Sequence, residues 1–173
     1  PAFKIAMLRM SDPQMFARVK RVVSIKGLLV NWLTGSCGED YGTASASGLA
    51  NVNSGDWEPE VLAAVGLERS YLPSIVGPTQ VVGNVTKAAA SQFGLTAGTK
   101  VVAGPGGDVS TSVGSGCEAP SKVAVTLGAS AVARQTVMQY VGGDSDGTFC
   151  YRADKSTFIL GSASVNGGSV LDW

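Results

Sequence analysis

Apolar residues recur at helical spacing through the first part of the chain. Phe3 to Met10 predicts a short helix with Ile5, Leu8 and Met7 turned inward. Ser11 and Asp12 can cap a second helix, with Pro13 in its first turn, running to about Arg21 and carrying Phe16 and Val19 on one side. Ile25, Leu28, Leu29, Trp32 and Leu33 fall at i, i+3, i+4, i+7 and i+8, the apolar stripe of an amphipathic helix that Thr34-Gly35 ends. The small-residue stretch 38–52 predicts a helical turn and then a strand from about Leu49. Asp56 is placed to cap a helix through Val65, closed by Gly66, and Leu72-Pro73 begins a loop toward a strand at Val81-Val82. Thr86 caps a helix from Lys87 to Phe93 with Gly94 as its stop, and Lys100 to Ala103 reads as a short buried strand.

From about residue 101 the pattern changes. Residues 101–116 read as strand, Gly-rich turn and small-residue helix, and 122–135 as two strands joined around Gly128. Residues 149–152 and 157–164 predict further strands, and Val165-Asn166-Gly167-Gly168 leads into a final apolar helix. The change from mostly helix to mostly strand places a domain boundary near Glu118 to Ser121, where Pro120 sits, dividing the chain into 1–118 and 119–173.

Composition narrows the function. The chain has 173 residues, with 13 Lys+Arg against 13 Asp+Glu. That balance removes the electrostatic case for nucleic acid or a membrane surface as partner. The cluster Arg18, Lys20 and Arg21 reads as a solvated face. No apolar run reaches the roughly 18 residues that a membrane span needs. The absence of His excludes a Ser-His-Asp triad, a Cys-His dyad and a His-ligated metal site within this sequence. Cys37, Cys117 and Cys150 are widely spaced and form no CxxC, as expected of reduced thiols in a cytoplasmic protein. There are 23 glycines, near twice the usual share of about 7%, an excess that suits loops or backbone shaped to approach a ligand.

Three turns can carry chemistry. Asp108 follows Ala-Gly-Pro-Gly-Gly at the end of a strand and the start of a helix. A carboxylate there can accept a proton from a substrate hydroxyl, or can serve only as a helix cap. Thr126-Leu127-Gly128-Ala129-Ser130-Ala131 joins two strands, and its amides and hydroxyls can form a concavity for phosphate or an ordinary hairpin turn. Asn166-Gly167-Gly168 precedes a helix and suits a nucleotide phosphate or a tight turn. Neither GxxxxGK[ST] nor GxGxxG is present.

In order along the chain, these segments resemble the FGGY family of carbohydrate kinases. Pro1-x-x-Lys4-Ile5-x-x-Leu8 resembles the first half of that family's N-terminal signature, with Met7 where Trp is usual. EDYGTASASGL (39–49) resembles its DYSxAS segment, and Asp56-Trp57 the DW that follows. AGPGGDVSTSVGSG resembles its A-G-x-x-D segment, and VAVTLGASA its S-x-G-T-S-G turn. FCYR, FILGSASVNGG and LDW are most similar to the gluconate kinase branch.

The resemblance implies an actin-like, ribonuclease-H-like α/β ATPase fold, cut so that 1–118 is the C-terminal part of the first kinase domain and 119–173 the start of the second. It implies ATP and Mg²⁺ as cofactors, a small-molecule sugar or sugar acid as partner, and a cytoplasmic location, with a homodimer left open. The reaction it implies is phosphorylation of a hydroxyl, foremost D-gluconate to 6-phosphogluconate. A xylulose-type kinase and a non-catalytic remnant, inactive as an isolated piece, are the alternatives. Asp108 matches the family's catalytic base. Gly128, Ala129 and Ser130 match its phosphate turn, and Gly168 and Asp172 fall where related kinases contact the nucleotide. Ala129 stands where the family usually has Thr, so one hydroxyl for phosphate is lost, worth about 1–2 kcal/mol for a hydrogen bond to a charged group. Val109, where some relatives have a polar residue, removes a possible sugar contact.

Overall fold

The computed structural model describes residues 1–142 and 147–170. It divides into two compact units, Pro1–Pro105 and Gly106–Trp173.

The first unit begins with helices α1 (Ala2–Ser11), α2 (Pro13–Phe16) and α3 (Ile25–Thr34). Strand β1 (Gly38–Asp40) runs straight into α4 (Tyr41–Ala46), followed by the pair β2 (Ala50–Asn51) and β3 (Asp56–Trp57) and helix α5 (Pro59–Val65). After a 3-10 turn at Arg69–Tyr71 come β4 (Ser74–Val76), β5 (Val81–Asn84), α6 (Lys87–Phe93) and β6 (Lys100–Val102). β1 pairs in parallel with β4, and β5 antiparallel with β6. The core is Leu49, Trp57, Leu62, Val65, Leu67 and Leu72, with Ile5 and Phe16 packed against it. The Trp57 indole donates to the Pro73 carbonyl at 2.7 Å, so the ring buries its apolar area without orphaning its N–H.

Several expectations hold because the local chemistry is complete. Thr86 accepts from the Ala89 amide at 3.2 Å and Gly94 closes α6 at φ 67°, as a left-handed C-terminal residue should. Others fail for identifiable reasons. The second helix stops at Phe16 rather than near Arg21, although Asp12 does cap it. Asp56 caps no helix: it lies in β3, and α5 starts at Pro59 with Glu58 at its N-cap. Met7 is exposed, while Ile5 packs on the core.

α3 forms as expected, Ile25–Thr34 closed by Gly35 at φ 75°, and in this chain its apolar stripe is largely exposed, with Ile25 89% exposed and Gly27 and Val30 the buried positions. The face that packs carries Lys26, whose ammonium group has buried partners on β1.

The second unit opens with α7 (Gly107–Gly114) and continues with β7 (Val123–Leu127), β8 (Ala131–Val137), β9 (Thr148–Arg152) and β10 (Phe158–Ser164). These strands form one antiparallel sheet in the order β7-β8-β10-β9. The register places Thr126, Arg134, Gly161, Phe149 and Tyr151 on one face, since directly paired residues share a side and side chains alternate along each strand. Val109 of α7 packs on that face against Ile159, Ala153 and Phe149. The expected final apolar helix is represented by a 3-10 turn at Gly168–Val170, and residues 171–173 lie outside the described residues. No helix among the described residues is long and apolar enough to cross a membrane.

Candidate active site

Asp108 sits in the first turn of α7, whose N-cap position is Gly106. It is therefore not the cap, and its side chain is free of that duty. A carboxylate here also lies at the favourable end of the helix dipole. Its Oδ1 accepts a 2.9 Å hydrogen bond from Nη1 of Arg134 on β8. The guanidinium is 4% exposed and the carboxylate 43%, so the cation is sunk in the sheet face and the anion projects from it. Nη2 of Arg134 donates to the Thr126 hydroxyl on β7. Among the described residues, the second Asp108 oxygen makes no hydrogen bond, which leaves it open to a substrate hydroxyl.

Tyr151 belongs to the same neighbourhood. Its phenol is pushed above the ordinary 10.0 by burial and, to a smaller degree, by the negative charge of Asp108. The ring stacks on Phe149 with centroids 4.6 Å apart. Next to it, burial pushes the Cys150 thiol above 9.0, against a lowering backbone hydrogen bond involving Val141.

The two glycine turns expected to meet phosphate are packed against each other. The Gly168 amide donates to the Gly128 carbonyl at 2.6 Å, and the Gly167 amide to the Ala129 carbonyl at 3.2 Å. The Ser169 hydroxyl also donates to Ala129 O, at 2.9 Å. A Cβ on Gly167 would lie 2.4 Å from the Ser130 carbonyl carbon, so only glycine fits. Within Gly128–Ser130, the Gly128 amide is used by Ser130 O. Among the described residues, the amides of Ala129 and Ser130 are not used. They are what an anion could take.

Thus Gly128, Ala129, Ser130 and Gly168 come together, with the Gly168 amide already spent on Gly128. Asp172 lies outside the described residues. Among the described residues, no direct bond joins Asp108 to the turn. The link runs through Arg134 and Thr126, two residues before Gly128. Thr126 belongs to the candidate turn, but its bond to Arg134 and the roles of Arg134 and Tyr151 are not readable from the sequence pattern. The burial of Arg134 does leave a signal: it shares the β8 phase with buried Thr136, and an Arg on an inward face requires a carboxylate.

A second charged cluster lies in the first unit. Lys26 donates to Asp40 Oδ1 and, at 2.7 Å, to the Gly104 carbonyl, with Glu39 Oε1 3.4 Å away. Asp40 Oδ2 accepts from the Gly42 and Thr43 amides at 2.9 and 3.3 Å, capping α4. Both Asp40 oxygens are engaged in holding β1, α3 and α4 together, a structural use of the EDY segment, while Glu39 Oε1 is buried near Lys26 without a hydrogen bond among the described residues.

The fold and this carboxylate-and-turn arrangement can be set beside known proteins. The gluconokinase of Bacillus subtilis (strain 168) is 27% identical over 173 residues, 100% of this chain and 34% of that protein. The crystal structure of ligand-bound xylulose kinase from Lactobacillus acidophilus matches with a TM-score of 0.95 at 27% identity, covering 100% of this chain and 35% of that one. The gluconate kinase structure from the same organism matches at 0.94 and 29% identity, again covering 100% and 35%. The fold is therefore that of the actin-like ATPases, in the form seen in sugar kinases. The sequence profile of the N-terminal domain of the FGGY family of carbohydrate kinases matches residues 1–114, and the chain belongs to that family. It spans about a third of the length of these relatives.

Proposed function

We propose that this chain contributes the acceptor base and the phosphate turn of an ATP-dependent sugar kinase, with D-gluconate the foremost substrate and 6-phosphogluconate the product. The observation that carries the reading is Asp108: a half-exposed carboxylate at a helix start, oriented by a buried guanidinium, with one oxygen open. The substrate hydroxyl gives its proton to that oxygen as its own oxygen takes up the phosphoryl group. Phosphoryl transfer is mostly positioning and charge stabilisation, which suits a fixed carboxylate beside a backbone turn. When bound, ATP would supply the γ-phosphoryl group and leave as ADP, the bond from the γ-phosphorus to the bridging oxygen breaking as the new one forms. The unused amides of Ala129 and Ser130 are the groups that would hold its phosphates, in a turn shaped by Gly128, Gly167 and Gly168. In the complete polypeptide Asp172 would also meet the nucleotide, and the kinase domains would divide between residues 118 and 119.

Among the described residues, no group of three metal-ligating side chains converges. Mg²⁺ in kinase sites is commonly held by one or two carboxylates and the substrate phosphates. A cytoplasmic enzyme is the setting this chemistry suits.

Xylulose is the second substrate reading, supported by the similar resemblance to a xylulose kinase. A non-catalytic remnant is favoured by Ala129 and disfavoured by the geometry around Asp108. The test is ATP consumption by the complete polypeptide across gluconate, xylulose, ribulose and glycerol. Turnover preferring gluconate is expected. Preference for a ketose moves the substrate, and no turnover with any sugar overturns the kinase reading.

A further inference from the structure

We propose that Arg134 is a positioning residue for the phosphoryl-transfer base: its guanidinium holds the Asp108 carboxylate in the one orientation from which the open oxygen meets the acceptor hydroxyl. The proposal rests on the reading of Asp108 as that base.

Three observations carry it. First, the guanidinium is braced from two directions, by Asp108 Oδ1 on α7 and by the Thr126 hydroxyl on β7. A planar fork held at two points cannot swing, and it fixes the carboxylate it binds. Second, the sheet makes room for it. In the ladder, Arg134 lies directly between Ala124 on β7 and Gly161 on β10, so both of its cross-strand neighbours are small. A side chain on Gly161 would collide with Phe149, whose ring occupies the adjoining space. Third, the arrangement is poor as a device for stability. The Arg134 Nε is buried and makes no hydrogen bond among the described residues. A desolvated cation with an orphaned donor, paired to a carboxylate that is itself half-exposed, returns little of its desolvation cost. What it delivers is a carboxylate pinned on one oxygen and free on the other.

A merely structural ion pair and a positioning residue differ in what their loss changes. If Arg134 only holds the fold, its replacement lowers thermal stability and the amount of active enzyme while leaving turnover per folded molecule intact. If it positions Asp108, turnover per folded molecule falls and substrate binding does not.

The experiment uses the complete polypeptide, with kcat and KM for ATP and for the preferred sugar measured on folded protein. Arg134→Met is expected to lower kcat about 100-fold, the size of an ångström-scale misplacement, with both KM values within about threefold of wild type. Arg134→Lys, which keeps the charge but can brace only one partner, should recover about tenfold of that loss. Thr126→Val removes one brace and is expected to lower kcat about fivefold in the same pattern. It also decides the matter if both Arg134 variants fail to fold. In an Asp108→Asn background, Arg134→Met should cause no further loss, because the two act as one unit.

Unchanged kcat in Arg134→Met, a rise in KM at constant kcat, or a full additional loss in the Asp108→Asn background overturns the proposal. If Asp108→Asn itself retains turnover, the base assignment fails and this inference falls with it. If Asp108→Asn is dead while Arg134→Met and Thr126→Val turn over normally, the base stands and only the positioning role is lost.

Discussion

In the first unit the carboxylates are inside: Asp40 and Glu39 are buried, and Lys26 reaches in to them from a partly exposed position. In the second unit the cation is inside and the carboxylate projects outward. The two clusters use similar charges with opposite placement. Asp40 spends its oxygens on Lys26 and on two amides of α4, so nothing remains for a ligand. Asp108 spends one oxygen on Arg134 and keeps the other. Which member of an ion pair is sunk into the protein thus separates a charge committed to folding from one available for chemistry.

The contrast can be broken most forcefully in the first unit. Lys26→Met leaves Asp40 and Glu39 buried without their cation, and should cost about 3–5 kcal/mol of stability in denaturant unfolding. A loss below about 1 kcal/mol would mean that the cluster behaves as a surface pair. The matching change in the second unit, Asp108→Asn, leaves the buried Arg134 cation with a neutral amide oxygen in place of its counter-ion. It should also cost stability, but less than Lys26→Met, because the half-exposed side chain can still accept the hydrogen bond. It should reduce turnover by about 10²–10⁴-fold, the usual contribution of a general base. Equal stability losses in the two variants, with turnover retained in the second, would erase the distinction.

Ala129→Thr asks whether the turn beside Asp108 is a phosphate site. A restored hydroxyl should tighten ATP by about 1–2 kcal/mol, read as a lower KM for ATP at unchanged kcat. No change in KM would remove the turn from the nucleotide site.

The smallest effect is spectroscopic. Tyr151 titrates above 10.0 because of burial first and the Asp108 charge second. Its phenolate absorbance, isolated by difference against Tyr151→Phe, should therefore shift to lower pH in Asp108→Asn while staying above the ordinary value. An unmoved midpoint would place the Asp108 charge out of reach of the ring. The sign for stability follows from the same shift. A folded-state value raised above the unfolded one gives stability that is present below pH 10.0 and lost as pH rises through the raised value. Cys150 acts in the same direction from about pH 9.0.

Sequence reasoning succeeded where the determining chemistry is local. The Thr86 cap, the Gly94 stop and the hairpin about Gly128 each depend on a few adjacent residues. It failed where partners are distant. β4 was missed because its pairing is with Gly38–Asp40, far back in the chain, and no local pattern announces a three-residue parallel strand. The extent of α3 and its Gly35 stop are legible locally, but that Gly27 and Val30 pack while Ile25 does not depends on distant elements. Asp108 and the Gly128 turn were visible as motifs. Arg134 stayed hidden because its role depends on the register of β8 against β7 and on α7 lying over that face.

The contact between Gly167-Gly168 and Gly128-Ala129 has a thermodynamic meaning of its own. A free turn that closes on an anion gives up conformational entropy at the moment of binding, and the affinity is reduced by that amount. Here the ordering is complete on folding, because two turns separated in the chain by β8, β9 and β10 hold each other backbone to backbone. An anion meeting the Ala129 and Ser130 amides would find them already arrayed, so the association should carry little entropic penalty from the protein.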